Sequence, residues 1–310
     1  MMLATRTLVA ILCLASLPCF ALAEEPAIAG EITLLGAVDT GRGFLEGPAA
    51  APDGRLFYTD IPNTKILVLA TDGSVSVFTD QSRHSNGLMF NAAGELIACE
   101  MDGQVVAWDI ANKTRRVLAA SYNGTRFNAP NDLVIDRQGG IYFTDPRFRA
   151  PQPLPQGVQG VYYLAPDGSV TRVVESLPAP NGILLSPDER TLYVFPSDSW
   201  SMRAYEVKLP GKLAAGREFC QLGRPGQKGR SGADGATIDT TGNVYITCSQ
   251  GVQVVSPLGK TLRVIGVPEK PANVTFLGSR LYMTARKSLY AFDTKAEGHQ
   301  YPAGESAPTP

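Results

Sequence analysis

The chain of 310 residues contains few cysteines and histidines, which limits the chemistry it can support. It has two histidines and five cysteines, and Cys13 and Cys19 fall in a leader-like amino-terminal segment. The other three, Cys99, Cys220 and Cys248, allow at most one internal disulfide, so the fold cannot rest on a disulfide framework. Strand patterns around Cys99 and Cys248 favour small buried thiols, and we predict no thiol chemistry. A zinc centre of clustered Cys and His is disfavoured as well.

An excess of charge of one sign is also missing. The chain has 28 Lys and Arg against 29 Asp and Glu, a net charge of −1 at pH 7, which argues against nucleic acid as a partner. No G-x-S-x-G nucleophile elbow, phosphate-binding loop or paired-glycine fingerprint occurs in the sequence. Serine-nucleophile and nucleotide-dependent chemistry are therefore left without their usual sequence signals.

Long apolar runs are lacking beyond the amino-terminal segment. There, Arg6 precedes an apolar run at residues 8–20, and Ala21-Leu22-Ala23 offers small residues at the cleavage positions. This pattern is typical of a signal peptide at residues 1–23, so we expect an exported protein of the periplasm or the extracellular space. The run is short for a membrane span and no later run is longer, so no membrane span is expected.

The feature that the chain does have is a sixfold repeat. In each unit a carboxylate or carboxamide residue opens an apolar strand, which turns at a corner usually rich in Gly or Asp and returns as a second apolar strand. The units start 39 to 53 residues apart, and a third strand and usually a fourth follow. This period predicts an all-β fold, a six-bladed β-propeller of four-stranded antiparallel blades. The opening residues are Glu46, Asn86, Asn131, Asn181, Asp234 and Asn273.

The two ends of the chain complete this prediction. The sixth unit lacks an outer strand, and the apolar segment at residues 31–38 belongs to no repeat. Pairing the two would close the ring and cover an exposed sheet edge. We therefore predict a propeller domain over residues 24–295, followed by a disordered Pro-rich tail at residues 296–310.

One face of the propeller is predicted to carry the function. The first two strands of each unit form a hairpin, so all opening residues lie on the same face, here called the mouth face. Long loops at residues 121–130, 146–159 and 222–233 overhang that face, and long loops on a rigid scaffold are typical places for binding and catalysis. Rotational symmetry would gather the six opening side chains around a central channel.

The oxygen atoms of these side chains are suited to a hard cation. Glu46 and Asp234 supply two carboxylates, and Asn131 and Asn181 supply amide oxygens, which are ligands that Ca²⁺ and Mg²⁺ prefer. The alternative is that Asn-Gly, Asp-Gly and Asn-Asp serve only as turn formers beside a water-filled channel. Glutamate is not a turn residue, so Glu46 weighs against this alternative.

Four motifs around these residues resemble one protein family. LEGP at Glu46, NAPNDLVID at Asn131, APNGILLSPDERTLYV at Asn181 and ADGATIDTTGNVY at Asp234 are similar to motifs of the gluconolactonase and regucalcin family, which includes senescence marker protein and luciferin-regenerating enzyme. The likeness covers about residues 43–292 and is greatest for the exported bacterial gluconolactonase-like branch. The regucalcin-like branch has an Arg for sugar hydroxyls where this chain has Ala129, which leaves sugar lactone specificity open.

The resemblance implies a propeller hydrolase with one divalent cation, Ca²⁺ first and Mg²⁺, Mn²⁺ or Zn²⁺ as alternatives. It implies metal ligands at Glu46, Asn181 and Asp234, with Asn131 contacting the metal or its water and the substrate. The expected reaction opens a lactone or related cyclic ester, with the metal polarising the carbonyl and orienting a water. Asp234 is the expected general base, and Asn131 and Asn181 position the substrate.

Other residues of the mouth face complete the predicted site. His84, two residues before Asn86, is the rival general base. Asn86, Glu100 and Asn128 join Asn131 as candidate substrate-binding residues. A small-molecule substrate is the expected partner, and the oligomeric state is left open. Two other functions also stay open: a phosphotriesterase-type hydrolase on the same scaffold, and a non-catalytic propeller that binds a small ligand or a protein.

Overall fold

The structure, a computed structural model, describes residues 33–37, 43–175, 177–223 and 230–302. The predicted signal peptide at residues 1–23 lies outside these ranges. The secondary structure described is almost entirely β-strand, with one 3-10 turn at Ile61–Asn63. No helix within those ranges is long and apolar enough to cross a membrane.

Six antiparallel sheets follow one another along the chain, each with four main strands. Strand β1 (Thr33–Ala37) belongs to the sixth sheet, and the first sheet contains β2 (Leu45–Ala50), β3 (Leu56–Asp60), β4 (Lys65–Leu69) and β5 (Val75–Thr79). The second sheet contains β6 (Ser85–Phe90), β7 (Leu96–Glu100), β8 (Gln104–Asp109) and β9 (Thr114–Ala119), and a short hairpin of β10 (Ser121–Tyr122) and β11 (Thr125–Arg126) follows it. The third contains β12 (Leu133–Ile135), β13 (Ile141–Asp145), β14 (Gly160–Leu164) and β15 (Val170–Glu175). The fourth contains β16 (Pro180–Leu185), β17 (Thr191–Pro196), β18 (Ser201–Leu209), the short β19 (Lys212–Leu213) and β20 (Arg217–Gln221). The fifth contains β21 (Ala236–Ile238), β22 (Val244–Cys248), β23 (Gly251–Val255) and β24 (Thr261–Ile265), and the sixth contains β25 (Pro271–Leu277), β26 (Arg280–Ala285) and β27 (Ser288–Asp293).

The first strands of the six sheets form the wall of a central channel. β2 contacts β6, and the contacts continue through β12, β16, β21 and β25 back to β2. Strand β1 pairs antiparallel with β27, with Thr33 opposite Ala291. The prediction of a six-bladed propeller closed by the amino-terminal strand is therefore confirmed.

Packing of each sheet between two neighbours explains the strand sequences. All five residues of β7 (LIACE) and of β13 (IYFTD) are buried, because these inner strands are covered on both faces. In the outer strand β5 only Phe78 is buried, and its ring meets Phe57 edge-on at 5.6 Å between centroids. Inner strands therefore read as continuous apolar runs rather than as alternating patterns.

The cysteines contribute to this packing as free thiols. Cys99, Cys220 and Cys248 are all buried and unpaired with one another. Burial raises the pKa of the Cys220 thiol to about 12, and it raises the pKa of Cys99 and Cys248 as well. A neutral buried thiol is a poor nucleophile.

Of the tail predicted at residues 296–310, residues 303–310 lie outside the described ranges, and residues 296–302 pack against the end of the channel away from the mouth face. The His299 amide donates to the Ile238 carbonyl at 2.9 Å, and the Gly298 amide donates to the Gly278 carbonyl at 3.0 Å. The Tyr301 ring packs against two apolar clusters between blades, and its hydroxyl donates to the Leu185 carbonyl. Composition indicated disorder here, but the turns of the closed ring supply partners for this backbone.

Candidate functional site

Glycines placed after the opening residues let the first strands come close together around the channel. A Cβ atom on Gly182 would lie 2.3 Å from the Asp234 carbonyl oxygen, and one on Gly235 would lie 1.9 Å from the Asn273 side chain. The Gly182 amide donates to that same Asp234 carbonyl at 3.1 Å. The absence of a side chain at Gly182 and Gly235 therefore lets neighbouring blades touch. The residue before each glycine, Asn181 or Asp234, lines the channel.

The mouth end of the channel opens into a cavity of about 370 Å³. Five of the six opening residues line it, namely Glu46, Asn86, Asn131, Asn181 and Asp234. Asn273 is not among the residues that line it, and its amide nitrogen donates to Asp132 Oδ2 at 3.4 Å. The predicted ligand set of Glu46, Asn131, Asn181 and Asp234 is thus brought together at one place.

Two carboxyl groups of this set lie side by side, with Glu46 buried and Asp234 half-buried. Glu46 is 3% exposed, and its carboxyl group lies within hydrogen-bonding reach of Asp234. Burial raises the pKa of Glu46 well above its ordinary value, and the charge of Asp234 adds to this shift. Burial also raises the pKa of Asp234 to about 7, against the opposing effects of Lys270 and the Asn181 amide.

A third carboxyl group, Asp132, lies next to this pair and was missed by the sequence analysis. It is 9% exposed, and burial, followed by the charge of Glu46, raises its pKa to about 7. The available signal was the acid after Asn131, at a position where four other units have glycine. Three carboxyl groups, two of them buried and Asp234 half-buried, therefore lie close together in the channel.

The Asn181 side chain is held in one orientation by its neighbours. Its Nδ2 atom donates to Asp234 Oδ1 at 2.6 Å and to Ser197 Oγ at 3.0 Å. The Ser197 hydroxyl donates to the Ala233 carbonyl at 2.5 Å, so Ser197 must accept from Asn181. The amide oxygen of Asn181 is therefore the atom left to accept a hydrogen bond or to bind a cation.

The donor atoms of this cluster fit a hard divalent cation. The charge of Asp234 raises the pKa of Glu46, and the charge of Glu46 raises the pKa of Asp132. A bound cation would remove that repulsion. No group of three or more His, Cys, Asp or Glu side chains in the described part of the chain is arranged to hold a metal alone. The amide oxygens of Asn131 and Asn181 are therefore needed to complete an all-oxygen shell.

Three predicted site residues lie apart from this cluster. His84 Nδ1 is 3.0 Å from Asp102 Oδ1, and His84 is not among the residues that line the cavity.

Glu100 and Asn128 are likewise absent from the cavity lining. The Glu100 carboxylate accepts from Arg115 Nε at 2.6 Å. Asn128 Nδ2 donates to the Val158 carbonyl at 2.9 Å, and its Oδ1 accepts from the Gln156 amide at 3.0 Å. Both polar side chains are thus hydrogen-bonded to structural partners outside the cavity lining.

The rest of the cavity wall comes partly from the mouth-face loops predicted at residues 146–159 and 222–233, whereas Phe44, Ile61 and Met101 were not predicted. Apolar side chains line part of the cavity, from Phe44, Ile61, Met101 and Phe148. Basic side chains line it as well, from Arg149, Arg230 and Lys270, and Arg230 Nη1 lies 2.9 Å from Asp198 Oδ1. The lining of the cavity therefore combines acidic, apolar and basic side chains, with Arg149 next to Phe148.

Comparison with known proteins gives a consistent set of relatives. A family model described as SMP-30/Gluconolactonase/LRE-like region matches residues 44–287. Gluconolactonase from Zymomonas mobilis subsp. mobilis is 30% identical over 281 residues, covering 82% of this chain and 79% of that protein. Lactonase drp35 from Staphylococcus haemolyticus is 29% identical over 210 residues, covering 65% and 62% respectively. The solved structure of a gluconolactonase from Xanthomonas campestris has a TM-score of 0.78 and 29% identity, covering 87% of this chain and 95% of that one.

A closed ring of six blades, with acids and amides gathered at one end of its channel, defines a propeller with a polar central site. The match to the family model spans most of that ring. The chain belongs to the SMP-30/gluconolactonase/LRE-like family. The resemblance seen in the four sequence motifs is thereby confirmed.

Proposed function

We propose that this protein is a divalent-metal-dependent hydrolase that opens a lactone. The observation that carries the proposal is the pair of neighbouring carboxyl groups of Glu46 and Asp234, flanked by amide side chains on the floor of a cavity of about 370 Å³. A cavity of that size accommodates a small-molecule substrate. The relatives named gluconolactonase and lactonase support the reaction class. The predicted signal peptide supports action in the periplasm or outside the cell.

Glu46, Asn181 and Asp234 would hold the cation, with Asn131 beside it. The two carboxylates would offset its double charge, and calcium is the first choice because every donor is oxygen. When bound, the cation supplies Lewis acidity at the lactone carbonyl and at a water molecule.

The chain's own residues would orient the ester and move the proton. Asn131 lines the cavity, where its amide can hold the substrate beside Asp234. The water oxygen adds to the carbonyl carbon as its proton passes to the Asp234 carboxylate, which is half-buried and lines the cavity. The bond from the acyl carbon to the ring oxygen then breaks, and that oxygen takes the proton from Asp234, giving a hydroxy acid.

The geometry favours Asp234 over His84 as the general base. A base must come within hydrogen-bonding reach of the water it activates. Asp234 lines the cavity, whereas His84 is held by Asp102 at 3.0 Å and is not part of the lining. Replacing His84 should therefore affect turnover much less than replacing Asp234.

A hydrolysis assay on γ- and δ-lactones tests this proposal. Turnover should require Ca²⁺, Mg²⁺, Mn²⁺ or Zn²⁺ and should stop in EDTA. Glu46→Gln and Asp234→Asn should each lower kcat/KM by at least about 1,000-fold, because each removes metal binding or the base. Asp102→Asn, an exposed acid of the same face outside the cavity, is the matched control and should keep activity. Turnover that survives EDTA and both substitutions would rule the mechanism out.

A further inference from the structure

The geometry points to a substrate whose lactone ring carries an apolar substituent, rather than the hydroxyl-covered ring of a sugar lactone. This inference rests on the proposed function and concerns the substrate class of the same site. It starts from the wall of the cavity, and not from the acids on its floor.

The apolar side of the cavity belongs to the packed interior of the protein. Ile61 and Met101 are 6% and 5% exposed and pack with the fully buried Ala129. Phe44 and Phe148 pack against this cluster and also line the cavity. Because the wall is held by core packing, a substrate would meet a fixed carbon surface.

Short-range contacts hold the loops that carry this wall. Asp60 accepts from the Phe44 amide at 3.3 Å and from Asn63 Nδ2 at 2.8 Å, which secures the turn that presents Ile61. The Met101 amide donates to the His84 carbonyl at 3.2 Å. These contacts hold the backbone in place, so the side-chain surface is set before a substrate arrives.

Several polar and basic groups of the cavity come from a different part of the ring, although Arg149 lies beside Phe148 and is exposed. Met101 and Phe148 follow second strands of the second and third blades, whereas Ser197, Arg230 and Lys270 come from the fourth blade onward. A lactone whose carbonyl reaches the acidic floor would therefore place one edge of its ring against carbon. Hydroxyl groups pressed against Phe44, Ile61 and Met101 would lose water and gain no partner from these side chains.

This arrangement predicts a ranking of substrates. An alkyl or aryl group on the ring should gain from the apolar wall, at about 10-fold or more in kcat/KM for each well-placed carbon group. Ring hydroxyl groups should lower kcat/KM by a comparable factor. We expect δ-nonalactone to exceed δ-valerolactone by at least about 10-fold, and δ-valerolactone to exceed glucono-δ-lactone.

The experiment measures kcat/KM for these three lactones and for a matching γ series with Ca²⁺, corrected for uncatalysed hydrolysis. Phe148→Ser, at a half-buried loop position, should lower the ratio of nonalactone to valerolactone turnover at least about tenfold. Met101→Gln should lower that ratio as well, at nearly constant volume. Asp102→Asn, outside the cavity, should leave the ratio unchanged.

The outcomes separate this inference from the function on which it rests. A glucono-δ-lactone rate equal to or above that of δ-nonalactone would overturn the inference and leave lactone hydrolysis in place. A ratio unaffected by both wall substitutions would also overturn it. Failure to hydrolyse any lactone, with metal bound and the protein folded, would overturn the proposed function together with the inference.

Discussion

Replacing Glu46 by Gln should abolish stabilisation by Ca²⁺ without destabilising the metal-free protein. Glu46 is 3% exposed, and Asp234 raises its pKa further because the two acids oppose each other's charge. Glutamine keeps the shape and removes the charge, so the metal-free site loses repulsion. With Ca²⁺ present, the same change removes one of the two charges that offset the ion.

The expected magnitude follows from binding linkage. A cation at 100 times its dissociation constant stabilises the folded protein by about 2.7 kcal/mol. In a domain of this size each 1 kcal/mol raises Tm by about 2–4 °C. The unmodified protein should therefore gain about 5–10 °C from Ca²⁺, and Glu46→Gln should gain less than about 1 °C. Thermal melts in EDTA and in Ca²⁺ measure both shifts.

Asp102→Asn is the matched control for this experiment. It removes an acid from the mouth face, but the Asp102 side chain is 49% exposed and contacts His84 rather than the channel. It should keep the full Ca²⁺ shift. Either of two results would refute the reasoning: a Glu46→Gln protein that still gains several degrees from Ca²⁺, or one that melts far below the unmodified protein in EDTA.

Three other measurements concern the pH response, the ring and the carboxyl-terminal segment. Burial raises the pKa of Asp234 to about 7, so protons compete with Ca²⁺ below that pH. Titration calorimetry should therefore show the affinity for Ca²⁺ rising with pH, by up to roughly tenfold per pH unit for each proton displaced. Because this folded-state pKa exceeds the unfolded one, the metal-free protein should also lose stability as pH rises from about 4 to about 7, and a flat profile would contradict it. Gly235→Ala would place a Cβ atom 1.9 Å from the Asn273 side chain and should cost about 1–3 kcal/mol in urea unfolding. Gly36→Ala, with no atom within 4 Å, should stay within about 0.5 kcal/mol, and equal losses would disprove the steric argument. Tyr301→Ala should lower the free energy of unfolding by about 3 kcal/mol through lost packing, and Tyr301→Phe should lower it by about 1 kcal/mol through one lost hydrogen bond. An unchanged melt for both variants would show that the segment does not stabilise the fold.

The fold could be predicted because every blade must repeat the same covered strands. Strands β7 and β13 are buried on both faces, so the chain shows apolar runs at a regular period. The closing strand was visible as an apolar segment outside the repeat. The packing of residues 296–302 could not be predicted, since its backbone partners at Ile238 and Gly278 come together only when the ring has closed.

The channel residues could be predicted for the same reason, whereas the direction of other polar side chains could not. The period determines which residues open each inner strand, and five of these six line the cavity. His84 and Glu100 were predicted as site residues only because they lie on the mouth face, which is a weaker argument. Their side chains turn to partners nearby in space, Asp102 at 3.0 Å and Arg115 at 2.6 Å. A shared face therefore does not imply a shared site.

The glycines of the repeat decide between the two explanations of its polar residues. If Asn-Gly and Asp-Gly were turn formers, glycine would be needed for left-handed backbone, yet of the four inner-strand glycines only Gly47 has such a φ, at +45°. Gly87 is needed for space, because a Cβ atom there would lie 2.4 Å from Asp132 Oδ1. The third unit has Asp132 where the second unit has Gly87. The Asp132 carboxyl group occupies the space that a side chain at Gly87 would need. Turn formation does not explain that complementarity, whereas a channel built to hold acids at close quarters does.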